Sequence, residues 1–192
     1  MIQLEPFTDF CVDKPWIIEA FYLASKQDEY VADDIIAGYT GLFPCNWGTP
    51  DASHEERGYF INGKLWFFSS TARAELGAVG GTKKDGTRYI TADQMLRHPE
   101  RWLLMRKRAY SIQIWTEIKR ANSLLGMGYD HVGVVLDYVR PAILFNEREV
   151  IYCSKSCHFV EFGVHRRISP RRRFAILDAM YQPITVEEVM KL

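Results

Sequence analysis

Short apolar runs separated by turn residues dominate the middle of the chain. Tyr59, Phe60 and Ile61 read as one strand, Asn62-Gly63 as a two-residue turn and Leu65 to Phe68 as the partner strand. Residues 58–70 are therefore predicted to form a β-hairpin. Over 109–125 the period becomes helical: Ile112, Ile114, Trp115, Ile118, Ala121, Leu124 and Leu125 share one face, closed by Gly126 and Gly128. Pro15 to Lys26 reads as an earlier helix, with Pro15 suited to its first turn. Asp93 to His98 reads as a short helix stopped by Pro99, and Trp102 to Met105 as a strand. Val132 to Val139 reads as a buried helix, though its β-branched content leaves a strand open. Val150 to Tyr152 leads into a helix that begins at Cys153 and stops near Gly163. Ser169-Pro170 opens another helix, and Ile184 to Val186 reads as a last strand. Residues 42–53, with Pro44, Gly48 and Pro50, and the glycine- and charge-rich 77–87 read as loops.

The chain has 192 residues, 47% of them hydrophobic and 14% aromatic, enough for one domain with a substantial core. Repeats, low-complexity tracts and linkers are not evident. The formal net charge of zero gives no general attraction to nucleic acid. Arg166, Arg167, Arg171, Arg172 and Arg173 form a local basic run, read as a solvated loop and helix start. Four cysteines without a signal peptide fit a reducing compartment. No stretch reaches the roughly 18 apolar residues of a membrane span. The expected location is cytoplasmic, or virion or host cytoplasm if the chain is phage-encoded.

The candidate chemistry centres on Tyr152-Cys153-Ser154-Lys155-Ser156-Cys157-His158. A thiol at a helix N-terminus meets the positive end of the macrodipole and free N–H groups, which suit an anionic sulfur and an oxyanion. A base is available in Ser53-His54-Glu55-Glu56. On a strand His54 and Glu56 point to the same face, so Glu56 could orient the ring. Ser69 or Ser70 on the next strand could do the same. An exposed loop histidine beside two acids is the plainer reading of His54. His158 reads as structural, His131 as packing or capping, and His98 and His165 as exposed. Cys157 reads as a small buried hydrophobe, with a rival-nucleophile or resolving-thiol role left open. A zinc site from Cys153, Cys157 and His158 lacks a second ligand cluster, because Cys11 and Cys45 have no paired spacing. No cofactor is expected.

The order of these motifs resembles the circularly permuted branch of the NlpC/P60 papain-like superfamily, and in particular its YiiX-related bacterial and phage members. The resemblance is carried by Asp34-Ile35-Ile36 with Thr40; by Ser53-His54-Glu55-Glu56 with Phe60-Ile61-Asn62-Gly63; and by Phe68-Ser69-Ser70-Thr71-Ala72-Arg73. Gly128-Tyr129-Asp130 with Gly133, then Tyr152-Cys153-Ser154, and finally Ile168-Ser169-Pro170 complete it. It spans about 33–178. It implies an α+β papain-like fold, with a central antiparallel sheet packed on the Cys153 helix. It implies Cys153 as nucleophile, His54 as general base and Glu56 as third polar residue, with Tyr129 shaping the site. The expected activity is that of a cysteine amidase or endopeptidase. Substrates implied are amides or esters, including peptidoglycan stem peptides and lipid derivatives.

The chain departs from that family in two places near the site. Lys155 stands where an acid is common and, with Ser69 and Ser154, is expected to contact substrate, welcoming an acidic group. Glu55 replaces an apolar strand residue, and the start of that strand is expected to be exposed. A binding module that keeps the fold without catalysis is the alternative.

Overall fold

The computed structural model describes residues 7, 9–23, 52–71, 79–80, 86–129, 150–151, 153–166, 168 and 170–192. Asp34-Ile35-Ile36 with Thr40, the predicted segments 42–51 and 132–139, most of 77–85, and His131 and Cys45 lie outside these residues.

The fold is α+β, built on a six-stranded antiparallel sheet in the order β4-β3-β2-β1-β5-β8. The strands are β1 (Val12–Leu23), β2 (Ala52–Ile61), β3 (Lys64–Thr71), β4 (Gly86–Thr91), β5 (Trp102–Arg108) and β8 (Gln182–Ile184). A separate parallel pair joins β6 (Gly128–Tyr129) to β7 (Val150–Ile151). The helices are α1 (Ala92–Met95), α2 (Ser111–Leu124), α3 (Cys153–Phe162), α4 (Pro170–Leu177) and α5 (Val186–Met190).

The predicted hairpin is β2–β3. Asn62 and Gly63 both have positive φ, 50° and 75°, as a two-residue turn matched to strand twist requires. The helix over 109–125 is α2, which buries Ile114, Ile118, Ala121 and Leu124 against the sheet. Ile112, assigned to that face, is 76% exposed.

The described part of the helix predicted over Pro15 to Lys26, residues 15–23, is not helical. These residues belong to β1, paired on both sides by β2 and β5. Ile17, Ile18, Glu19, Ala20, Phe21 and Tyr22 are all buried, because both faces of β1 are covered. Ile17 and Phe21 face α2 and its neighbours, while Ile18 and Ala20 face the layer of α1 and α5. A strand buried on both faces shows no alternation, and its apolar run imitates a buried helix. Pro15 falls where the β1–β2 register slips, between Val12↔Ile61 and Ile17↔Tyr59, a position that tolerates a residue without an N–H.

Smaller corrections concern ends. Gly86 and Thr87, read as loop, begin β4, and Thr87 N donates to the Met127 carbonyl at 3.0 Å. The last strand is Gln182–Ile184, and Val186 already belongs to α5. Thr185 caps α5 through a reciprocal bond with Glu188, so Thr-x-x-Glu in the sequence marks a helix start.

One layer of core therefore lies between the sheet and α2, α3 and α4. A second lies on the opposite face, beneath α1 and α5. Among the described residues no helix is long and apolar enough to cross a membrane.

Candidate active site

Helix α3 begins at Cys153, two residues after β7 ends. β7 is held beside β6 through Gly128↔Val150 and Tyr129↔Ile151, so the Gly128-Tyr129 segment lies against the strand that delivers the cysteine. The first turn of α3 is fixed by two hydroxyls: Ser156 Oγ donates to the Cys153 carbonyl at 2.6 Å within the helix, and Ser154 Oγ donates to the Ile168 carbonyl beyond it. The N–H groups of such a first turn have no partner inside the helix.

The β2–β3 ladder stops at Arg57↔Phe68, although β2 runs back to Ala52 and β3 on to Thr71. Helix α3 packs against both strands. Cys157 Sγ donates to the Glu55 main-chain carbonyl at 3.8 Å. One turn earlier on α3, Cys153 comes within hydrogen-bonding reach of the His54 ring.

His54 Nε2 bonds Glu56 Oε1 at 3.0 Å, and Ser69 Oγ donates to the same oxygen at 2.7 Å. The two sequence candidates for orienting His54 thus act in series: Ser69 fixes Glu56, and Glu56 fixes the ring. Since Nε2 is taken by Glu56, Nδ1 is the nitrogen left for sulfur. Burial alone would lower the His54 pKa. Cys153 and Glu56, each through charge and a hydrogen bond, outweigh it and hold the imidazole well above its ordinary value. Cys153 is 3% exposed and the His54 side chain 22%, so the pair sits at the rim of the interior.

The His54 ring also has an aromatic neighbour. Trp102 lies 6.4 Å away, centroid to centroid, and Tyr22 packs edge-on against Trp102 at 5.1 Å. Trp102 is one of the five tryptophans that the sequence offers as core or pocket lining, and Tyr22 was not singled out.

The other predicted site residues fall as follows. Tyr129 is half-buried beside the run-in to Cys153. Ser69 and Ser154 are fully buried, and their hydroxyls serve Glu56 and the Ile168 carbonyl. Lys155 is also buried and engaged within the protein, rather than open to an acidic substrate. Its charge adds to burial in lowering the pKa of His165, which stacks on Phe159. His158 packs against Phe162, and burial with Arg173 and Arg166 lowers its pKa. His98 is exposed. Cys157 is fully buried, and burial first, then the nearby Glu55, pushes its thiol pKa up.

Glu55 does not make the strand start exposed. It is 0% exposed and bonds Arg173 Nε, so the basic run is not wholly solvated either. Both belong to a buried ionic network. Arg57 bonds Glu19, Glu117 at 2.8 Å and Glu161 at 3.4 Å. Arg173 bonds Glu19 and Glu161, each at 2.8 Å, as well as Glu55. The Tyr59 hydroxyl donates to Glu117 at 3.0 Å and the Tyr181 hydroxyl to Glu161 at 3.1 Å. Burial pushes Glu161 up, but Arg57 and Arg173 overcome it and hold it at about 2. For Glu55 burial prevails over Arg173, and its pKa rises to about 7. The network joins α2, α3 and α4 to β1 and β2.

The carboxylates of Glu19 and Glu55 and the sulfur of Cys157 lie within 4.8 Å of one another, a spacing compatible with metal ligands. The Arg173 guanidinium bonds both acids, and Cys157 is held in its neutral form, so the charge a cation would supply is already present.

No family model, curated protein or solved structure matches the chain at a significant level.

Proposed function

We propose that the protein is a cysteine hydrolase that cleaves an amide or ester through a thioacyl intermediate on Cys153. The carrying observation is the ordered series Cys153–His54–Glu56–Ser69, with the sulfur at a helix start and the ring held at its far nitrogen. Cys153 sulfur attacks the carbonyl carbon, and a C–S bond forms. The oxyanion meets N–H groups of the first turn of α3. As the C–N or C–O bond breaks, His54 gives its Nδ1 proton to the departing atom. The neutral ring then takes a proton from water, which attacks the thioester and releases the acid. Glu56 keeps Nδ1 aimed at sulfur throughout.

The motif order supports placing this site in a permuted NlpC/P60 papain-like domain, with substrates among peptide, peptidoglycan-derived or lipid-derived amides and esters. The test is intact-protein mass spectrometry after mixing with p-nitrophenyl acetate. An acetyl group on Cys153 that forms and decays is expected in wild type. Cys153→Ala should carry none, and His54→Ala should acylate far more slowly. A folded wild type that never acylates at Cys153 would turn the reading to a binding module.

A further inference from the structure

Trp102, Tyr22 and His54 stand opposite one another across β5, β1 and β2, so their side chains share one face. This is the last row of that face. The β1–β5 ladder ends at Tyr22↔Trp102, and the β1–β2 register slips just beyond Tyr22↔His54. The next row inward on the same face, Leu104, Ala20 and Glu56, is sealed, with none of the three more than 1% exposed. Trp102 is half-buried and His54 partly open, so the row is a rim, not a floor. The Trp102 and His54 rings meet at an interplanar angle of 63°, and those of Tyr22 and Trp102 at 83°.

The reaction divides a substrate in two. Its acyl half becomes bonded to Cys153. Its leaving half must bring the departing oxygen or nitrogen within about 3 Å of the His54 nitrogen that protonates it. Whatever is attached to that atom lies beside the His54 ring, where Trp102 stands with Tyr22 behind it. A flat apolar group gains area and an edge-to-face partner there, whereas a charged group would lose water against two aromatic rings. We propose that Trp102 and Tyr22 form the leaving-group subsite, selecting substrates whose alcohol or amine half is aromatic or similarly flat and apolar. The proposal rests on the Cys153–His54 reading above.

The experiment compares phenyl acetate with hexafluoroisopropyl acetate, whose leaving groups are of similar basicity. The reading is the rate of acetyl-Cys153 formation by quenched mass spectrometry. Wild type is expected to prefer phenyl acetate by about tenfold. Trp102→Ala should reduce that preference to about twofold or less, and Trp102→Phe, which preserves an aromatic face, should retain most of it. The decay of acetyl-Cys153, which no longer involves the leaving group, should be the same in all three. Undiminished preference in Trp102→Ala, with normal acylation, overturns the subsite and leaves the hydrolase standing. Equal slowing of both esters together with slower deacylation shows that Trp102 merely supports His54, and also overturns the subsite. A wild type that acylates with neither ester overturns both readings.

Discussion

Glu56→Gln removes the charge that faces His54 Nε2 while keeping the side chain's shape. In the wild type that contact is 3.0 Å, and Ser69 bonds the same Glu56 oxygen. A hydrogen bond to a charged group contributes about 1.5–3 kcal/mol, against about 0.5–1.5 kcal/mol for a neutral one. The difference of about 1–1.5 kcal/mol corresponds to about one pKa unit at His54 and about a tenfold loss in kcat/KM. The sign follows from what acylation needs. His54 must carry a proton for the leaving group, and its raised pKa keeps that proton available above the ordinary imidazole range. In Glu56→Gln the burial that opposes the charge remains and one of its supports is lost, so the alkaline limb of kcat/KM moves to lower pH. The assay is an ester-hydrolysis pH profile for wild type and variant, paired with NMR titration of the His54 ring. An unmoved alkaline limb, with kcat/KM within about twofold of wild type, would refute Glu56 as the group that holds the ring.

Arg173→Met leaves Glu19, Glu55 and Glu161 buried without their shared guanidinium, and is expected to cost about 3–5 kcal/mol in urea unfolding. A loss below about 1 kcal/mol would mean that the cluster is wet or rearranges. Glu55, with its raised folded pKa, contributes stability that is complete below its ordinary value and fades as pH rises through about 7. Glu161 contributes stability that is present above its ordinary value and fades as pH falls toward about 2. The urea midpoint should therefore fall as pH is raised from about 5 to about 8, and Glu55→Gln should flatten that fall; a midpoint that rises over this window contradicts it. Gly86 has φ of 105°, and a Cβ there would overlap the Met127 carbonyl oxygen. Gly86→Ala is expected to lose about 2–3 kcal/mol, read as a lower melting temperature, and an unchanged Tm would mean that the start of β4 can move away.

What the sequence showed depended on how far its partners lie along the chain. Asn62-Gly63, the spacing of α2 and the strand-to-helix change at Cys153 are local signals, and the structure follows each. The His54–Glu56 contact follows from strand periodicity alone. β1 was illegible because burial on both faces erases its period, and Glu19 inside that run was the clue to something more than packing. The ionic network was illegible for a different reason. Arg173 is 118 positions from Glu55 and 154 from Glu19, and Arg57 is 60 from Glu117, so no window of sequence contains the pairs. Glu55 and Arg173 looked like surface residues because isolated charges usually are.

The buried ions have a further consequence for Cys153. An apolar interface tolerates a helix sliding along its neighbour, because one leucine resembles the next. A slide of α3 by one turn would carry Glu161 about 5.4 Å away and leave two guanidiniums without it in the dry interior. Glu161 lies about 12 Å along the helix from Cys153, at the end away from the chemistry. It works as an index pin, setting the axial position of the sulfur opposite His54 from the opposite end of the same rod.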